Sequence, residues 1–301
     1  MRSSNAPLAA LVAIFLAGAA AAQELEPRAY SRSPVGTNFV LLGWAHSSGG
    51  VLVDPTLPVT DVSATIDAPT FGYARTFALG ERAANIAVAV PYVWLDATGN
   101  VGTVARQASR SGLGDPRLRL AVNLVGNPAV GPSEFVRLPP STTVGASLTI
   151  IAPVGQYDPS KLVNIGSNRW SLKPEIGVSH PVGKAFFEAS VGSWLFTENR
   201  NFFGGQTREQ APLWTFQFHA GYDFRPGLWL AADATYLTGG RTRVNGALKD
   251  DTQSNSRYGL TFSYPLGPAM SLKLAWSTGY TTRIGANFDT YAVFLQYRWF
   301  D

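Results

Sequence analysis

"DTYAVFLQYRWFD" occupies residues 289–301. Its alternate positions Tyr291, Val293, Leu295, Tyr297 and Trp299 make one apolar, aromatic row. The other row, Ala292, Phe294, Gln296, Arg298 and Phe300, mixes small, polar and charged groups with two rings. A period of two belongs to a strand whose faces meet different surroundings.

The pattern recurs along the chain. Leu118, Leu120, Val122 and Leu124 alternate with Arg117, Arg119 and Asn123. Trp214, Phe216, Phe218, Ala220, Tyr222 and Phe224 oppose Thr215, Gln217, His219 and Asp223. Met270, Leu272, Leu274 and Trp276 oppose Ser271, Lys273 and Ser277. Read this way, twelve strands are expected: 36–47, 62–77, 84–96, 112–126, 141–153, 169–181, 185–199, 211–224, 227–239, 255–266, 270–281 and 287–300. The second is the weakest, because Pro69 interrupts it.

Connection lengths sort the strands further. Pro181-Val182-Gly183-Lys184, Arg225-Pro226 and Gly267-Pro268-Ala269 are short turns built from residues that fix or relax φ. Stretches 48–61, 97–111, 154–168, 200–210 and 240–254 are long and polar. Long and short links therefore alternate, with 127–140 out of pattern. An even strand count with short turns on one rim and long loops on the other describes an outer-membrane barrel. A soluble sandwich would alternate too, but its links would not sort by length. Tyr222, Phe224, Tyr264, Tyr280, Tyr291 and Trp299 stand near strand ends on the apolar row, where interfacial girdles belong.

Bulk properties agree. Of 301 residues, 46% are hydrophobic, 12% aromatic and only 15% charged, which disfavours disorder. The net charge of +4 is spread without any Lys/Arg run, so no nucleic-acid partner is expected. Residues 1–22 read as a cleaved secretory signal: Arg2, an apolar stretch from Leu8 to Ala17, then Ala20-Ala21-Ala22. The absence of cysteine excludes disulfides and thiolate chemistry. Residues 23–35 are expected as a short periplasmic segment, too short for a plug domain, and 36–301 as the barrel in a bacterial outer membrane. The apolar closing strand also looks like an outer-membrane assembly signal, which makes the barrel-assembly machinery and outer-membrane lipid expected partners. Asp301 departs from such signals, which commonly finish on an aromatic.

Several stretches resemble a known family. "SGLGDPRLRLAVNL" (111–124), "APVGQYDPSKLVNIGSNRWSLKPEIGVS" (152–179), "FFGGQTREQ" (202–210), "DATYLTGGRTRVNG" (233–246) and "KDDTQSNSRYG" (249–259) are similar to members of the MetA-pathway of phenol degradation family. That resemblance implies an outer-membrane barrel with a transport role and favours aromatic or otherwise hydrophobic small-molecule solutes.

Function in a barrel is sought on the inward row. By parity this row holds Arg117, Arg119, Lys173, Arg257, Lys273 and Arg298 against Glu175, Glu188, Asp223 and Asp233. Twelve strands make a narrow bore. Opposed charges there either screen passing solutes or pair and plug the lumen. Loop candidates for binding are Tyr157, Asp158, Lys161, Arg169, Arg208, Glu209, Arg241 and Arg243. The Asp-Pro pairs at 54–55, 115–116 and 158–159 read as turn starters.

One enzymatic reading exists. His46-x-Ser48 before Gly49 resembles the His-x-Ser site of outer-membrane phospholipase A, and i, i+2 spacing puts both on one strand face. No orienting partner is evident in the sequence, so an enzyme is not expected. His180 and His219 stand alone, and Asp250-Asp251 lacks regular ligand spacing, so neither metal nor cofactor is expected.

Overall fold

The computed structural model describes residues 26–301; the leader expected at 1–22 lies outside them. The strands are β1 (Thr37–Leu52), β2 (Val59–Leu79), β3 (Arg82–Val101), β4 (Val104–Leu113), β5 (Arg117–Val125), β6 (Thr143–Ile151), β7 (Ser171–Val182), β8 (Ala185–Phe196), β9 (Asn199–Phe202), β10 (Gln206–Gln210), β11 (Leu213–Arg225), β12 (Leu228–Gly239), β13 (Thr242–Val244), β14 (Ala247–Leu248), β15 (Gln253–Pro265), β16 (Met270–Thr282) and β17 (Gly285–Phe300). A one-turn helix, α1 (Pro132–Phe135), lies between β5 and β6.

The main sheet runs β2-β1-β17-β16-β15-β12-β11-β8-β7-β6-β5-β3-β4, and β2 also pairs with β3. That extra ladder closes the sheet into a barrel. β4 and β5 pair with different stretches of β3, Tyr92–Val101 and Ala84–Ala89, and so form two segments of one wall position. Twelve wall positions result, all antiparallel to their neighbours. β1 meets β17 from Thr37↔Phe300 to Leu52↔Gly285. Asp301 continues this seam: its amide donates to Gly36 O, and its carboxylate accepts from Asn38 Nδ2 and Arg75 Nη2 at 2.9 and 2.7 Å. Its departure from an aromatic finish thus has a structural use.

The faces follow parity. On β11, Trp214, Phe216 and Phe218 are 45–50% exposed, while Thr215, Gln217 and His219 are 3–8% exposed. A soluble core would reverse these figures. Rings gather outside in two bands. One holds Trp44, Tyr92 and Trp94, with Tyr258 against Trp276; the other holds Tyr73, Tyr297 and Trp299, with Tyr222 against Phe224. From Trp299 to Tyr291 the chain covers about 27 Å at ~3.4 Å per residue, the scale of the ~25 Å apolar band of such barrels.

Three expectations needed revision. Residues 97–111 are no loop: β3 and β4 continue as a hairpin through Gly102-Thr103. β2 is 21 residues long despite Pro69. The cost of that proline shows elsewhere: the β2–β3 ladder loses its pairs between Asp67↔Trp94 and Thr70↔Pro91 without a change of register, and Pro69 and Pro91 each lack an amide donor. The strand expected at 112–126 breaks at Gly114-Asp115-Pro116. At about 3.3 Å per residue, β2 spans far more than the apolar band, so the upper part of the β1–β4 wall extends above the membrane.

The long link at 126–142, out of pattern for its rim, clasps the segment before β1. Val35 N donates to Val130 O at 2.9 Å, and Asn127 Nδ2 to Ser33 O at 3.4 Å. Arg32 donates to Pro139 O and Ser141 Oγ and lies over the Phe135 ring.

Candidate functional site

The lumen divides into two unequal halves. Residues 26–35 are not free in the periplasm; they enter the bore from the short-turn rim. Tyr30 is their anchor, 4% exposed. Its ring lies against paired Gly145 and Gly177, where an added Cβ would approach ring carbons to 2.5 and 2.3 Å. Only glycine leaves room for the ring there. The Tyr30 hydroxyl donates to Glu175 Oε1 at 2.8 Å and lies 3.0 Å from Ser147 Oγ. Burial, with Glu175 adding to it, raises its pKa well above the ordinary phenol value, so it stays a donor.

Around this anchor the predicted inward charges assemble. Lys173 Nζ lies 3.0 Å from Glu175 Oε2, both side chains at most 5% exposed. The Arg119 guanidinium lies 5.2 Å from the Tyr30 ring centre. Glu188 accepts from the Arg28 amide and from Ser31 Oγ. Arg28 Nη2 reaches Asp223, and its guanidinium lies 4.1 Å from the Phe186 ring centre and 5.0 Å from that of Trp229. Asp233, buried, accepts from Thr261 at 2.6 Å and lies 2.7 Å from His219 Nδ1. The space left beside Glu26, Tyr30, Arg117, Arg119, Lys173 and Glu188 is about 30 Å³, room for little more than water.

The upper half is of another kind. A cavity of about 490 Å³ extends from Arg117 to the extracellular loops. Much of its wall is apolar, including Ile151, Trp194, Phe196, Leu213, Leu237 and Phe294. A second sheet, β14-β13-β10-β9, stands over its mouth. Loop 152–170 also folds inward, drawn by Asp115, whose carboxylate accepts from the amides of Gly155 and Ser167 and from Ser167 Oγ. A cluster holding Val62, Leu95, Val163, Phe202, Val244 and Phe288 consolidates these pieces. Asp54 adds a tie by accepting from the Asp250 amide at 3.0 Å.

The sequence-derived candidates separate accordingly. Arg117, Arg119, Lys173, Glu175, Glu188 and Asp233 meet in the lower lumen. Arg257 and Lys273 line the upper cavity. Asp223 lies at the lower mouth, and Arg298 is exposed at the rim, where it donates to Pro268 O. Parity gives a residue's face but not its height, which is why Arg298 fell outside the bore. Among the loop candidates, Tyr157, Arg169 and Arg208 face the cavity, whereas Asp158, Lys161, Glu209, Arg241 and Arg243 are exposed. Asp158 caps its own turn through Ser160. Sequence reading missed Arg28 and Tyr30, and it took Asp115 for a turn residue.

His46 and Ser48 lie on the outer face beside the upper aromatic band. Asp67 on β2 supplies the partner the sequence did not reveal, with its Oδ1 2.9 Å from His46 Nδ1. No hydrogen bond joins His46 to Ser48 among the described residues. A nucleophile and base need that contact.

With the geometry in hand, comparison with known proteins is informative. Residues 45–293 match the family described as "Putative MetA-pathway of phenol degradation". The chain belongs to that family. The COG4313 outer membrane channel from Pseudomonas putida F1 has a similar structure, with a TM-score of 0.80 and 18% identity, over 92% of this chain and 100% of that one. The transport unit of the autotransporter AIDA-I from Escherichia coli gives 0.52 and 9% identity over 94% and 95%. At such identities these likenesses speak for the fold. No curated protein matches the sequence. This family member is an all-β, twelve-stranded outer-membrane barrel.

Proposed function

We propose that the barrel is an outer-membrane channel for small apolar solutes, aromatic compounds included. The observation carrying this reading is the contrast in bore: a roomy, largely apolar cavity of about 490 Å³ beside a charged cluster around Tyr30 that encloses a pocket of about 30 Å³. A cavity of that size suits a small organic ligand. The lower layer hinders hydrated ions, because residues 26–35 and the paired Lys173 and Glu175 occupy the bore there. A solute would rest in the cavity and pass downward when residues 26–35 yield. The family's association with phenol degradation fits aromatic cargo. Movement is diffusive, since no energy-coupling element is evident among the described residues.

The test is uptake in intact cells, where the lipopolysaccharide leaflet slows apolar compounds. Expression should speed entry of the apolar fluorophore N-phenylnaphthylamine several-fold, with only small single-channel currents in planar bilayers. Unchanged uptake together with silent bilayers would establish a structural barrel instead. Conduction is preferred over hydrolysis because no hydrogen bond joins His46 to Ser48 among the described residues.

We propose also that the assembly machinery reads β17, whose Trp299 and Phe300 remain exposed. The double change Trp299→Ala, Phe300→Ala should lower the heat-modifiable, assembled fraction; an unchanged fraction refutes it.

A further inference from the structure

The upper cavity is apolar in character, yet two arginines lining it are each only 5% exposed. Arg169 donates through Nη2 to Gln210 Oε1, and its guanidinium lies 4.2 Å from the Phe196 ring centre. Its Nε and Nη1 have no acceptor within the protein. Arg257 donates through Nη2 to Phe288 O at 2.8 Å and to Ser277 Oγ at 3.2 Å, and again Nε and Nη1 have no acceptor. Neither forms a salt bridge within 4 Å among the described residues. A guanidinium carries five donors, and leaving those of a buried cation unmet is costly.

Asp289, the acid that acts on Arg257, is exposed and forms no ion pair with it, and the other nearby acids are committed. Asp115 is occupied by the amides of Gly155 and Ser167 and by Ser167 Oγ. Asp251 accepts from Thr242 through both oxygens. Along the cavity wall stand Arg117, Arg169, Arg208, Arg257 and Lys273 against Glu26, Asp115 and Asp251, five cations to three acids. Burial first, and repulsion from Arg208 next, push the Arg169 pKa well below the usual guanidinium value. Burial likewise lowers Arg208 to about 10. An anion arriving between these groups would relieve both effects.

We propose that the upper cavity is a binding site for an apolar monoanion, a carboxylate joined to an aromatic or aliphatic body. Arg169 or Arg257 receives the carboxylate on its planar fork, and the hydrocarbon lies along Trp194, Phe196 and Leu213. A fork of two N–H donors matches a carboxylate's two oxygens. The apolar walls disfavour small hydrated anions, which would lose their water without compensation. This assignment rests on the reading of the cavity as the place where solutes dwell.

The experiment compares 3-phenylpropionate with 3-phenylpropanol, equal in body and different in charge. Calorimetry on the full mature protein in a non-ionic detergent should show the carboxylate binding at least tenfold more tightly. In Arg169→Gln/Arg257→Gln the alcohol should bind as before and the preference should vanish. Heat-modifiable gel mobility confirms that the variant is folded. Should the double variant not fold, the wild-type ratio and the single variant Arg257→Gln decide. Equal binding of both compounds to the wild type, or a preference untouched by the substitutions, overturns the anion site while leaving the channel reading intact. Failure of both compounds to bind the folded wild type overturns the dwelling site itself.

Discussion

The two halves of the lumen share one wall of alternating strands and differ in what fills it. Below, charges meet charges, Lys173 with Glu175 and Arg28 with Asp223, and Asp233 has His219 Nδ1 as a hydrogen-bond partner. The ring of Tyr30 takes up the space that two glycines leave. Above, the buried Arg169 and Arg257 form no ion pair among the described residues, and each keeps two nitrogens without an acceptor. Ion pairs hold the lower half together, and those two upper arginines have no such partners.

This contrast can be broken deliberately. Removing residues 26–35 should have the largest effect, raising single-channel conductance several-fold; unchanged currents would mean that the wall charges alone close the bore. Next comes Lys173→Met, which leaves Glu175 buried without its cation. Breaking such a pair costs about 3–5 kcal/mol, so the urea midpoint of the folded barrel should fall clearly. A midpoint equal to the wild type's would show that water reaches this layer freely. A smaller effect is expected of Gly177→Val. The added side chain collides with Tyr30, not with the wall, so the barrel should fold while its conductance rises part of the way toward that of the truncated protein. Failure to raise it would place the tyrosine ring outside the conduction path. Smallest of all is Ser48→Ala, on the outer face and unlinked to His46. Solute uptake should match the wild type, and ester hydrolysis lost on substitution would be the outcome that revives a catalytic reading.

Much of the architecture was legible because lipid imposes a strict rule on one face of every strand. Trp214, Phe216 and Phe218 declare their side without any tertiary information. The rule lapses above the membrane, where both faces of a strand are wet. That is why Val104–Leu113, with Arg106, Gln107 and Arg110, looked like a loop and is a strand. The β4 edge is instead blunted by its charges and by Arg110 Nε donating to Val163 O at 3.0 Å.

The site was legible in part for a related reason. Alternation identified the inward charges but could not set their heights, so Arg298 and Lys173 looked equivalent. Tyr30 was invisible because its pocket exists only once Gly145 stands opposite Gly177, a matter of register between strands. Asp67 and His46 are 21 residues apart and needed the same information. Asp115 satisfied a local rule for turns while serving a loop some 40 residues away.

The seam between β1 and β17 bears on how such a molecule comes into being. Most neighbouring wall positions are joined through links that a growing hairpin can close locally. At the seam, the Asn38–Asp301 contact joins residues 263 apart. Contacts of such separation form slowly, because the entropy of a long loop is lost before any bond repays it. Until then two strand edges stay unsatisfied, a state hydrocarbon does not tolerate. The ring is thus expected to complete in one late cooperative step.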